Sequence, residues 1–467
     1  MKKIFILLLM TYNIVIFSQN TDKIPCKLEV EIVPFEKIDT TRIFPFFNNI
    51  SKIKQTLNLK NYSKDTIYLP LENPSQFSFM NPFLFQHIKV TAVKNKKKRE
   101  IPSVFQNNML QFLLSEKDEI VEIDYYYQTD YFMKGHEYIT CYFCPTQHSW
   151  FSWYFSVPNM IIEKVSFSVP DNTYLLANLP QQKKSSYVEL QCDTIPPHGI
   201  SYFLMEKRHY DKIPTTIHNN QYNLYLFKDI IATGDSSSLE AFCLSDNKNT
   251  PEVIEKRISS LERGLKGIHK LFNQQIDVDI VDACLDLSQG GNKIYWGSAF
   301  MSSDNHGLVV MDTSFWNTHS CTHELVHFHN RILPNKDDSS YYFFHESMTE
   351  FLSVQFFYSD VVLKDSVYQE KILKYVHIEN DCHSIFDVTK NEVGLDLSGS
   401  YGVIYLKTPF VLHCLEKKIG EEKFMKILSS FYRRVKESGN ISFSLMEQVF
   451  KESGISDAVW EWFLENL

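Results

Sequence analysis

The chain has 467 residues, 44% of them hydrophobic and 14% aromatic, with a formal charge of −9. This length exceeds that at which one hydrophobic core stops growing, so two or three packed units are expected, and the composition excludes extensive disorder. The one dense basic run, KNKKKRE at 94–100, is bracketed by strand-like sequence and reads as a solvated hairpin tip, not a nucleic-acid patch.

The N-terminus, MKKIFILLLMTYNIVIFSQN, has two lysines, an apolar stretch from Ile4 to Phe17 broken by Thr11 and Asn13, and then Ser18-Gln19-Asn20. That order is a secretory signal peptide, residues 1–18, with cleavage near Ser18. A membrane span needs about 20 apolar residues, more than this interrupted stretch provides, so no stable span is expected in the mature chain. The expected location is periplasmic or extracellular. Nine cysteines leave at least one thiol free in an oxidising compartment. The pair in CYFC, Cys141 and Cys144, is either a local disulfide or two strand residues; a zinc knuckle would need a second pair.

From about 25 to 212 the chain alternates short β-branched and aromatic runs, such as LEVEIVPF, TIYLPL, HIKVTAV, EIVEIDYYYQ and KVSFSVP, with Pro, Asn and Asp between them. Residues 19–212 are therefore expected to form a β domain. The composition shifts at KIPTTIHNNQ (212–221), after which YNLYLF reads as a further strand and helices dominate. Thr250 caps a helix with Pro251 at its first position, and Ile254, Ile258, Leu261, Leu265, Ile268 and Leu271 mark its buried face. VDIVDACLDL and HGLVVMD follow as strand candidates. From about 345 onward nearly every segment has helical period, to the closing SDAVWEWFLENL.

The chemistry concentrates in CTHELVHFH at 321–329. On a helix, His323 and His327 share a face one turn apart and reach a single ion, with Glu324 beside them to hold a water. A zinc ion bound by two histidines needs a third protein ligand and keeps its fourth position for water. Glu346 follows His327 after eighteen residues, on a second apolar helix able to pack on the first. Glu350, one turn further, shares that face; it is either an acceptor that orients a ligand histidine or a solvated glutamate. His329 and Cys321 are each two positions away from a ligand, pointing off the ion.

H-E-x-x-H, eighteen residues, then Glu resembles the gluzincin aminopeptidases, which include aminopeptidase N and leukotriene hydrolase. The similarity continues in SYGVIYLKTPFVLHCLEKKIGEEKFMKILSSFY, like the family's Tyr-x-Lys-Gly-Ala stretch and following helix pair, and in CPTQHSWFSWYFSVPNMIIEKVSFSVPDNTYLLANLP, like late strands of its N-terminal domain. The resemblance implies a multidomain α+β fold: a saddle-like N-terminal β domain, then a thermolysin-like α/β catalytic domain over 213–467 that ends in helices. It places Tyr405 at the catalytic tyrosine and implies one Zn2+ held by His323, His327 and Glu346, with Glu324 as the base.

Two departures bear on specificity. The family's exopeptidase motif corresponds best to MSSDNHGL, which puts Asp304 where the amine-binding glutamate stands; an Asp in an Asp-Asn turn is the competing reading. The Asn that usually precedes the third ligand is His345 here, and the family's long C-terminal helical domain has no counterpart in the sequence. The function expected is that of an exported zinc metallopeptidase taking residues from the N-termini of peptides. The alternatives are a zinc endopeptidase or a peptidase of blocked peptides, and a non-catalytic binding module that keeps the fold.

Overall fold

The structure is a computed structural model; it describes residues 23–34, 49–60, 66–70, 85–107, 109–114, 120–128, 141–144, 153–157, 159–191, 200, 202–207, 210–218, 220–227, 250–272, 277–282, 297–301, 306–311, 318–328, 332, 334, 338–378, 383–388 and 400–467. The proposed signal peptide, His329 and Asp304 lie outside these residues. The chain separates into two compact units whose main division falls between Lys207 and Arg208. The stretch 212–221 singled out by its composition lies in the first hairpin of the second unit, because Pro214 and its polar neighbours form a sheet-edge strand, where a missing N–H is tolerated.

The first unit is built of strands. Its largest sheet has eight, in the order 181–183, 188–190, 160–168, 24–34, 49–58, 120–128, 85–94, 97–101. Alternation drives it: Cys26, Leu28, Val30 and Ile32 are buried while the residues between them face outward. The basic run departs from a simple loop. Asn95 and Lys96 make the turn in the left-handed region, and Lys97–Ile101 returns as an exposed edge strand, where lysines keep other strands from adding. Cys141–Cys144 is a strand.

The second unit carries a five-stranded sheet. Its strands are β1 (Tyr210–Ile217), β2 (Asn220–Phe227), β3 (Asp277–Asp282), β4 (Gly297–Met301) and β5 (His306–Met311), in the order β1-β2-β3-β5-β4. β2, β3 and β5 run parallel, and β4 closes the edge antiparallel to β5. Helix α1 (Pro251–Phe272) begins where Thr250 Oγ1 accepts from Val253 N at 3.3 Å, and buries Leu261, Leu265, Ile268 and Leu271. Then come α2 (Ser320–His327), a π-turn over Phe343–Ser347 leading into α3 (Met348–Phe357), and α4 (Val361–His377). A second π-turn, Gly402–Lys407, leads into α5 (Thr408–Ile419), followed by α6 (Glu421–Ser438), α7 (Phe443–Glu452) and α8 (Asp457–Asn466). Among the described residues no helix is long and apolar enough to cross a membrane.

Candidate metal centre

Helix α2 is pinned before any ion is considered. A Cβ on Gly264 of α1 would lie 2.3 Å from Thr322 Oγ1, and one on Gly307 of β5 would lie 1.9 Å from the Phe328 ring. Two glycines thus let a helix and a strand close on α2 from its neighbours, burying Cys321, Thr322, Leu325 and Val326. Cys321 faces the hydrophobic core. His323 and His327, one turn apart, then emerge on the remaining face.

Their Nε2 atoms stand 3.1 Å apart. Glu346, on the first π-turn, brings Oε2 to 3.4 Å from His323 Nε2 and 3.6 Å from His327 Nε2. Tetrahedral zinc with bonds of about 2.0–2.1 Å requires donors about 3.4 Å from one another, so this triangle fits the ion. π-turns of this kind recur at functional sites. Here the widened turn carries the residue that leaves its helix to meet α2.

Around these three lies a layer that orients them. Glu350 Oε2 accepts from His323 Nδ1 at 2.7 Å, leaving the Nε2 lone pair for the ion. The other oxygen of Glu350, Oε1, takes His319 Nε2 at 2.8 Å and the Lys371 ammonium. His345 places Nε2 3.4 Å from Glu346 Oε1, with its ring 4.7 Å from that of His327. Tyr405, on the second π-turn, donates its hydroxyl to Glu346 Oε2 at 2.8 Å.

Electrostatics follows from this packing. Burial pushes the Glu324 carboxyl up, and the His323 and His327 charges only partly oppose it. Burial also works to raise Glu346, but His345 and His327 hold it well below the usual carboxylate range. Glu350 is held low against the same penalty by Lys371 and His319. For His323 burial disfavours the charge, yet bonds to Glu346 and Glu350 and the nearby carboxylates bring it to about 10. Those carboxylates form a negative well that a metal cation fills by displacing the proton. Burial, then Glu346, holds the Tyr405 phenol well above its ordinary value.

His319 and Lys371 escaped the reading of the sequence. His319 had a signal, since it precedes His323 by one turn on the same face. Lys371 had none, because its partners are 21 and 34 residues away.

No family model matches this sequence, and no curated protein matches it. Its similarity to known proteins is one of structure. A two-domain M1 zinc metallopeptidase mutant bound to L-arginine is 11% identical, covering 96% of this chain and 95% of its own, with a TM-score of 0.53. An M1 zinc metallopeptidase mutant from Deinococcus radiodurans bound to a Tyr-Ser-Ala substrate is 11% identical, covering 94% and 93%, with a TM-score of 0.54. An aminopeptidase N family protein from Idiomarina loihiensis is 10% identical, covering 95% and 76%, with a TM-score of 0.65. Over nearly its whole length, this chain has the fold of the M1 zinc metallopeptidases.

Proposed function

We propose that this chain is a zinc metallopeptidase of the gluzincin type, exported by its N-terminal segment, that hydrolyses peptides from their free N-termini. One observation carries the reading: the donor triangle of His323, His327 and Glu346 is sized for zinc and has a buried carboxylate, Glu324, on the same helix turn and a tyrosine hydroxyl bonded to its third member. Peptide substrates accord with the Tyr-Ser-Ala substrate bound by the Deinococcus radiodurans relative.

When bound, zinc supplies Lewis acidity to the scissile carbonyl and to the attacking water. Glu324 accepts the water's proton; its carboxyl, raised by burial, suits a base that must later return that proton to the leaving amine. Tyr405 stays protonated at neutral pH because its phenol is held high, so its hydroxyl exchanges Glu346 Oε2 for the oxyanion that forms on the carbonyl. Glu350 keeps the His323 ring turned with Nε2 toward the ion. Asp304 is assigned to the substrate ammonium on the family pattern.

The decisive comparison is Glu324→Gln beside the native chain. Zinc content is expected to stay at one ion per chain, and turnover of an aminoacyl reporter to fall by about 10²–10⁴, the usual worth of a general base. Undiminished turnover would end this mechanism. Cleavage of the N-acetylated reporter as readily as the free amine would overturn the exopeptidase assignment alone.

A further inference from the structure

We propose that Lys371 is a positioning residue whose single ammonium couples the metal-ligand helices to the turn that carries Tyr405. The inference rests on the peptidase reading for the role of Tyr405, though not for the metal. It begins at Pro409. Proline has no N–H, so position 409 cannot donate to the carbonyl four residues back, Tyr405, or five back, Ile404. Backbone carbonyls in a packed interior require donors. Both receive them from other elements: Ser347 Oγ donates to Ile404 O at 2.7 Å, and Lys371 Nζ donates to Tyr405 O at 3.3 Å. Ser347 is the residue after the ligand Glu346.

Lys371 reaches further than a carbonyl cap needs to. The same Nζ donates to Glu350 Oε1, while Glu350 Oε2 holds His323 Nδ1 at 2.7 Å. A continuous path therefore runs from the Tyr405 backbone through Lys371 and Glu350 to a ligand imidazole, crossing α4, α3 and α2. Position 371 is a costly place for a charge, since its side chain is only 12% exposed. One turn on, Lys374 pairs with Glu370 on the surface, with side chains 62% and 66% exposed, where such pairs contribute little. The buried ammonium is preorganised by two acceptors that belong to the two halves of the site. Lys371 touches neither ion nor substrate, so its effect passes through Glu350 and Tyr405.

The test compares Lys371→Met, which keeps the aliphatic stem and removes both bonds, with Lys371→Arg, which keeps charge and donors. In chelator competition on the full chain, Lys371→Met is expected to bind zinc about 10–100-fold more weakly, the usual effect of losing an outer partner of a ligand. Its Co2+-loaded form is expected to shift in visible spectrum. On the aminoacyl reporter kcat should fall with KM little changed, and this fall should largely vanish in a Tyr405→Phe background. Lys371→Arg should recover most of each property. Native zinc affinity with a native cobalt spectrum in folded Lys371→Met would overturn the proposal, and so would losses additive with Tyr405→Phe. Should Lys371→Met fail to fold by circular dichroism, Glu350→Gln replaces it in the zinc and cobalt measurements, with the same expectation and the same overturning result. A native chain that holds zinc but cleaves no peptide would sink the peptidase reading while these metal measurements still decide the positioning role.

Discussion

Both carboxylate oxygens of Glu346 are engaged, Oε2 by two imidazoles and the Tyr405 hydroxyl, Oε1 by His345. These contacts set the Glu346 carboxylate between α2 and the tyrosine. The tyrosine draws a different consequence from the same contact. Its hydroxyl already sits at the ligand pole, so removing it should leave the zinc triangle intact and cost the reaction alone. Tyr405→Phe is therefore expected to retain zinc and KM while kcat drops about 10²–10³-fold, the worth of one oxyanion donor. Steady-state kinetics with metal analysis checks it, and a drop confined to zinc occupancy would reassign the residue. His345 adds an imidazole ring beside that of His327.

At the scale of elements, the site depends on how closely its helices approach. Gly307 on β5 admits the Phe328 ring at the end of α2, a separation that no residue with a Cβ allows. Gly307→Ala is expected to lose about 1–3 kcal/mol of stability through overpacking and to weaken zinc by moving α2. Gly439→Ala provides the contrast. Gly439 ends α6 with φ +67 and has nothing within 4 Å of an added Cβ, so its substitution costs about 1 kcal/mol of backbone strain and leaves zinc untouched. Denaturation of both variants with zinc titration separates the two effects; equal zinc affinities would show that Gly307 does not hold the metal helix. The two π-turns belong to this scale too. They deliver Glu346 and Tyr405, and where the second passes into α5 at Pro409 the carbonyls of Ile404 and Tyr405 take donors from Ser347 and Lys371.

Across the whole molecule, each unit has its own core and each core holds a buried thiol: Cys26 in the first, Cys321 in the second. Burial pushes Cys26 to about 12 and Cys321 higher still, with Glu324 adding to the latter. Because the thiolate is the reactive form, a raised folded-state pKa keeps both inert as pH climbs from 7 to 9, whereas unfolded thiols near 8.5 become reactive across that window. Alkylation mapped by mass spectrometry should then report opening of each unit. Chelation removes the stabilisation that zinc gives to the state that binds it, so it is expected to speed labelling of Cys321 and leave Cys26 unchanged. Equal acceleration at both positions would contradict a metal effect confined to the second unit.

What could be read from the sequence was chemistry repeated at short range. Alternation gave the strands, Thr250-Pro251 and the apolar face of α1 gave a helix, and His323, Glu324, His327 and Glu346 stood at spacings that a helix and one connection can bring together. These features rest on contacts between near neighbours, whereas the fold is shared with solved structures of only 10–11% identity. The edge strand over 210–217 was hidden because its residues are polar and include a proline, which only an edge position tolerates. The tertiary structure alone decided the π-turns, the two glycine approaches to α2, the double engagement of Glu346, and the ammonium of Lys371 between Glu350 and Tyr405. Each joins groups distant along the chain, and the separation of such groups is determined by how helices pack, which no local period encodes.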